Sequence, residues 1–260
     1  MSENRICILN TLIDKFTMDE TIHEVNKYIM GKEPLHLMGV NADKVNMLNQ
    51  NERLKEIVNN CGIINADGAS VVLASKYLKY PLPERVAGID LMLGLIELAE
   101  QKGYSVYFLG AKQNVVERTA QVLQNKHPNL KISGIKNGYF SENQWEEVAE
   151  NLEQKQPQIV FIGITSPIKE YLVEYLQSKG LTSVFMGVGG SFDVISGEIP
   201  RAPLWMQKIN LEWLFRVLQE PRRLFKRYFI GNFKFIYSVI LEKHKKAKKL
   251  STSLTNNKMK

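Results

Sequence analysis

Cysteine is almost missing from this chain of 260 residues. Cys7 and Cys61 stand alone, with no Cys/His cluster around them. Their scarcity excludes a disulfide scaffold and a structural zinc site, and fits a reducing compartment. Histidine is equally thin: His23, His36, His127 and His244 are scattered, without metal-ligand spacing. No Asp-x-Asp pair is present to hold a divalent cation on a nucleotide. Neither a metal nor a cofactor is expected. No stretch offers about 18 uncharged apolar residues, so no membrane-spanning helix is expected. Met1 to Leu12 is too short in apolar run and too acidic for a secretory leader. No spaced Gly-x-Gly-x-x-Gly, P-loop or Gly-x-Ser-x-Gly elbow occurs.

Acidic residues are scarce too, but only at one end. Residues 1–200 hold 19 basic and 24 acidic side chains, whereas residues 201–260 hold 15 and 3. The formal charge of +7 is thus a −5 body joined to a +12 end. Such segregation points to a polyanion or an anionic membrane surface as a partner of that end. The hydrophobic content of 44% and charged content of 23% exclude wholesale disorder.

What is present is alternation. Short β-rich runs occur at Leu35 to Val40, Gly62 to Asn65, Ser105 to Gly110, Lys131 to Gly134, Gln158 to Ile164 and Ser183 to Val188. Several are continuously apolar, as strands covered on both faces are. Helical spacing fills the gaps at Met18 to Met30, Ile89 to Gln101, Val115 to Lys126, Glu147 to Gln154 and Pro167 to Ser178. The pattern predicts an α/β body over 1–200 with a mostly parallel sheet and flanking helices. A helical appendage is expected over 201–246 and a disordered Lys-rich tail over 247–260.

Beyond Pro200 aromatic and basic residues interleave. Tyr228 to Leu241 carries a single charge, Lys234, between Arg222, Arg223, Lys226 and Arg227 on one side and Lys243, Lys245, Lys246, Lys248 and Lys249 on the other. Phe225, Phe229, Phe233, Ile236 and Ile240 recur at helical spacing. Three readings stand: a helix lying in a membrane interface, a helix packed on the body with a solvated tail, and a nucleic-acid surface. No RNA-binding motif accompanies the third.

Three strands end in glycine, at Gly110, Gly163 and the Gly187-Val188-Gly189-Gly190 turn. Such turns either bring backbone N–H groups to a phosphate or simply turn the chain tightly. Asp67 follows a buried strand in Asn65-Ala66-Asp67-Gly68. A carboxylate there is placed for general-base work in a cleft, or for capping a helix. Asn41 ends another strand, and Asp193 follows the glycine turn. Arg85 and Arg201 supply the fixed donor fork that a diphosphate takes.

These segments resemble, in order, the WecG/TagA/CpsF family of bacterial glycosyltransferases. The matching pieces are Asn41-Ala42, Asn65-Ala66-Asp67-Gly68, Pro83-Glu84-Arg85-Val86-Ala87-Gly88-Ile89-Asp90 and Phe108-Leu109-Gly110. They continue through Asn137-Gly138-Tyr139-Phe140, Gly187 to Asp193, Arg201-Ala202-Pro203, Leu211 to Arg216 and Glu220 to Arg223. The resemblance covers about residues 5 to 228. It implies a Rossmann-like body and an inverting, metal-independent transfer of a sugar from a UDP-sugar to a polyprenyl-diphosphate-linked sugar. The setting implied is the cytoplasmic face of the cell membrane, in teichoic acid linkage-unit, enterobacterial common antigen, capsule or exopolysaccharide synthesis. It implies a peripheral protein with an anionic membrane surface as partner and no nucleic acid, and leaves a homo-oligomer open.

By the same resemblance Asp67 is the general base. Asn41, Arg85, Gly110, Tyr139, Lys169, Gly189 and Asp193 serve the donor. Arg201, Arg216, Arg223 and Lys226 serve the diphosphates. Two positions depart from the family pattern. Lys169 stands where the family has Gln, and Gly39 where it has Thr. Lys169 pairs with a donor carboxylate, as on a uronic acid, or binds diphosphate or faces solvent. Two other classes remain: a nucleotide-dependent α/β oxidoreductase, which lacks its glycine fingerprint here, and a non-catalytic membrane or nucleic-acid binding module.

Overall fold

The computed structural model describes residues 4–225 and 229–257, leaving aside the side chains of Arg223 and of 246–257. The first half of the chain contains β1 (Arg5–Ile8), β2 (Thr11–Asp14), α1 (Met18–Gly31), β3 (Leu35–Val40), α2 (Ala42–Leu48), α3 (Glu52–Asn59), β4 (Ile63–Ala66), α4 (Ala69–Tyr77) and α5 (Gly88–Lys102). It continues with β5 (Ser105–Gly110), α6 (Gln113–Lys126), β6 (Lys131–Lys136), α7 (Trp145–Lys155), β7 (Ile159–Gly163), α8 (Ile168–Ser178), β8 (Val184–Gly187) and α9 (Ser191–Ile195). The last stretch is helical: α10 (Leu204–Lys208), α11 (Glu212–Gln219), α12 (Pro221–Phe225) and α13 (Gly231–Asn257).

The six runs expected to be strands form one sheet in the order β4-β3-β8-β7-β5-β6. Every pairing in it is parallel. Continuous apolarity follows from two-sided burial. In β7, Ile159 and Phe161 enter one core while Val160 and Ile162 enter the other. Phe108 of β5 stacks on Phe161 and meets Phe192 edge-on, both at 5.8 Å between centroids. Each such side chain contributes roughly 1.5–3 kcal/mol by leaving water.

Caps set the helix starts. Thr17 and Glu20 form a capping box at α1, and Asn41 and Asn51 accept from the third backbone N–H of α2 and α3. The β1–β2 hairpin was not expected. Its four-residue strands turn through Leu9 and Asn10, both at positive φ without a glycine, so the usual turn signal is missing.

β4 pairs with β3 on one side, and β8, arriving from the far half of the chain, pairs with it on the other. Strand order therefore reverses between β3 and β8, and a crevice opens beyond their carboxyl ends. The helix α13 lies against α2 and α4. It buries Phe235 and Val239 among Met38, Val45, Leu54 and Ile64. Asn46 donates to Gly231 O at 2.8 Å, and Leu9 N donates to Glu242 at 2.8 Å. The 247–260 segment, read from sequence as a tail, begins inside this helix, whose last residue is Asn257.

Candidate active site

A cleft of about 1520 Å³ fills the crevice. It brings together Asn41, Asp67, Arg85, Lys169, Gly189, Asp193 and Arg216. They come from the ends of β3, β4 and β8, the α4–α5 connection, α8, α9 and α11.

Asp67 continues the β4 ladder, its N–H donating to Val40 O at 2.9 Å. It does not cap the helix that follows it: Gly68 holds that position, with no side-chain cap. Its Oδ1 instead accepts from Gly88 N at 3.0 Å, the first residue of α5. Among the described residues Oδ2 has no hydrogen-bond partner. Its backbone oxygen accepts from Arg85 Nε at 2.7 Å. One carboxylate oxygen is thus anchored to a helix start, and the other makes no such bond.

Arg85 carries the link outward. Its Nη1 and Nη2 lie 3.4 Å from Asn210 Oδ1 and Glu212 Oε2. Glu212, buried at the start of α11, lies 3.6 Å from Arg201 Nε, while Arg201 Nη2 donates to Asp90 on α5. Arg201 therefore ties α11 to α5 and does not line the cleft. Arg216, from α11, points at the glycine turn: its Nη1 is 3.8 Å from where a Gly190 Cβ would stand. Gly189 in that turn has φ +54 and open space beside it, a backbone form that favours glycine.

Gly110 and Tyr139 lie further along the same carboxyl edge and do not line the cleft. A Cβ on Gly110 would come 2.5 Å from Gly163 C, at φ +135, so its glycine serves strand packing. Tyr139 is 73% exposed. Asn41 is the α2 cap, its Oδ1 accepting from Lys44 N at 3.0 Å. The Arg223 side chain and all of Lys226 lie outside the described residues.

Sequence reasoning missed a buried charge cluster in the cleft floor. Lys44 Nζ donates to Glu170 Oε1 at 2.5 Å and to Ser166 Oγ at 2.6 Å. Lys169 Nζ lies 3.5 Å from the same Oε1. Its chain runs close over Gly187, whose Cβ would fall 2.6 Å from Lys169 Cε. Glu170 is 0% exposed. Burial alone would push its carboxyl up, but Lys169, Lys44 and hydrogen bonds outweigh that and hold it at about 2. Burial, then Lys169, lowers Lys44 to about 8 against the pull of Glu170. His36 on β3 is pushed down to about 4 by burial, with Glu170 opposing and both lysines assisting. The missed signal was a pair of charges, Lys44 and Glu170, at apolar-phase positions of their helices.

Acid should unfold the protein through this cluster. A base whose folded pKa is depressed is favoured above its unfolded value, near 6.5 for His36, and loses that support as pH falls toward 4. The effect is on the order of 3 kcal/mol. Glu170 adds its own loss as pH drops from 4.5 toward 2. Melting temperatures between pH 7 and pH 4 should fall for the wild type and fall less for His36→Leu.

A parallel sheet with a carboxylate, cations and a glycine turn at its switch point defines a Rossmann-like α/β enzyme working at the carboxyl edge. The chain belongs to the WecG/TagA/CpsF family of glycosyl transferases, whose model matches residues 6–249. It is 33% identical over 198 residues to an N-acetylglucosaminyldiphosphoundecaprenol N-acetyl-beta-D-mannosaminyltransferase of Bacillus spizizenii, covering 76% of this chain and 75% of that one. A Staphylococcus aureus protein of the same name is 30% identical over 246 residues, covering 94% of this chain and 96% of its own. The chain is accordingly a glycosyltransferase. None of its described helices is long and apolar enough to cross a membrane.

Proposed function

We propose that this enzyme moves a sugar from a UDP-sugar to a polyprenyl-diphosphate-linked sugar at the cytoplasmic face of the cell membrane, in cell-surface polymer synthesis. The observation that carries the reading is Asp67, one oxygen anchored and the other unpartnered in the switch-point cleft. In the reaction the acceptor hydroxyl attacks the anomeric carbon as Asp67 Oδ2 takes its proton. The bond from that carbon to the UDP oxygen breaks, and configuration inverts. Arg216, Lys169 and the glycine-turn N–H groups stabilise the departing diphosphate without a metal. The relatives' names, with their diphosphoundecaprenol acceptor, support this class of substrate.

The lip of the cleft supports a lipid-linked acceptor. Phe229, Phe233 and Ile236 line the cleft and are also exposed. Phe225 stacks on Phe229 at 4.5 Å and Trp213 meets Phe229 at 6.1 Å. Residues 201–246 are in this reading the membrane-facing appendage, with Arg216, Arg223 and Lys226 meeting diphosphate and other lysines of the segment meeting anionic headgroups. A homo-oligomer would be a further way to cover exposed apolar side chains.

The donor is an N-acetylhexosamine nucleotide by likeness to the relatives, but the cleft floor favours a second reading. Lys44 and Lys169 share one carboxylate, Glu170, which leaves one buried positive charge uncompensated. A uronic acid on the donor would supply the missing anion. The test is UDP release with a short-chain lipid-diphosphate acceptor across neutral and uronate donors. A uronate enzyme should prefer UDP-hexuronate at least about tenfold and lose the preference in Lys169→Gln. Equal use of neutral donors by the wild type would sink the uronate reading, and no UDP release with any donor would sink the transferase reading.

A further inference from the structure

Asn65 is a buried polar group of the cleft wall that the mechanism above leaves unused. It lies in β4 two residues before Asp67, so both side chains leave the strand on the same face. Its parallel partner is Gly39. The Asp67 side chain lies over that glycine: a Cβ there would stand 3.3 Å from Asp67 Cβ and 3.9 Å from Oδ2. Leu37, Val86, Leu91 and Met186 are apolar neighbours that line the cleft together with Asn65.

The carboxamide is 1% exposed, and its Nδ2 has no hydrogen-bond partner. Its Oδ1 lies 3.2 Å from Thr21 Oγ1. Thr21 has one hydroxyl proton, and Thr17 O claims it at the shorter distance of 2.8 Å. Two settings of the amide follow. In one, Thr21 shares its proton and Nδ2 is a free donor. In the other the amide is turned over, Nδ2 donates to Thr21 Oγ1, and Oδ1 is a free acceptor. Either way one hydrogen-bonding atom of a buried carboxamide lacks a partner, and that is costly unless something entering the cleft completes it.

We propose that this atom binds a sugar hydroxyl beside Asp67, making Asn65 a substrate-positioning group. A hydroxyl suits both settings of the amide, because it donates and accepts. Gly39, Asn65 and Asp67 line the same cleft, so a hydroxyl bound there stands next to the carboxylate that takes its proton. The hydroxyl belongs to the donor sugar or to the acceptor sugar, and the inference rests on reading the cleft as a sugar-transfer site.

Asn65→Leu tests it, since leucine fills a similar volume without a hydrogen-bonding atom. The kcat/KM for transfer should fall about tenfold or more. UDP affinity by calorimetry should be unchanged, and Tm should hold or rise because an unpaired buried group is gone. A loss already present in UDP-sugar hydrolysis without acceptor assigns the hydroxyl to the donor. A loss confined to the KM of the lipid-linked acceptor assigns it to the acceptor. Asn65→Ala, which admits water, is the second variant and should show the same split. Unchanged kcat/KM in either variant overturns the proposal. So does a joint drop in Tm and UDP binding in both, which marks a purely structural residue. A wild type that neither binds UDP nor transfers fails the underlying reading instead.

Discussion

Asp67→Asn should reduce sugar transfer by about 10²–10⁴-fold, the usual span for losing a general base, while UDP binding and Tm stay near wild type. The geometry separates the two roles of this side chain. Oδ1 accepts from Gly88 N at 3.0 Å, and an asparagine oxygen keeps that bond. Arg85 holds the backbone oxygen, which the substitution does not touch. Only Oδ2 changes, from an acceptor able to take a proton into an N–H donor that cannot. The loop should therefore remain in place with its chemistry removed. Rates measured by UDP release at saturating donor and acceptor decide it, and undiminished transfer by Asp67→Asn would remove Asp67 from the base role.

Replacing Phe233, Ile236 and Tyr237 together by serine should weaken binding to anionic vesicles about 100-fold or more. Phe233 is 75% exposed, and Ile236 and Tyr237 are more than half exposed. A fully buried side chain of this size contributes roughly 1.5–3 kcal/mol. Half-insertion of three such groups gives about 3 kcal/mol, near a hundredfold. The fold should survive, because α13 is held by other residues. Phe235 and Val239 are buried in the core, and Lys243 Nζ sits 3.5 Å above the Tyr77 ring. Deleting the helix is a poorer test. It would strip Phe235 from that core at a cost of about 3–5 kcal/mol. Co-sedimentation with vesicles containing anionic lipid, at low and high salt, measures the partition. Wild-type binding by the triple variant would assign the exposed face to something other than a membrane.

The C-terminal helix packs on the body, one of the readings that competed in the sequence, and it also keeps an exposed apolar face. Its 3.6-residue repeat carries apolar side chains on more than one side. Phe235 and Val239 turn inward, whereas Phe233, Ile236 and Ile240 turn outward. The spacing of aromatics identified the outward set. It could not show that the helix also completes the core against α2 and α4, since a partner surface leaves no mark on the segment that meets it.

The cleft shows the same division. Asp67, Asn41, Lys169 and Arg216 were named from local strand ends and motifs, and all four line the cleft. Arg201, assigned to the diphosphates by its motif, does not line the cleft. Its guanidinium goes to Asp90 and Glu212, residues distant in sequence. Lys44 and Glu170 were passed over because each looks like an ordinary helix charge until α2 and α8 meet.

By itself the sequence determined that six strands alternate with helices, that charge divides near residue 200, and which family pattern the chain follows. Apolar runs, turn residues and charge are properties of neighbours along the chain. Tertiary structure alone decided that β8 inserts beside β3, that two lysines share Glu170, and that Asn65 is left without a full set of partners beneath Asp67. Those outcomes depend on which distant segments exclude water from one another. Burial is what gives a shared charge or an unpaired amide its energetic weight.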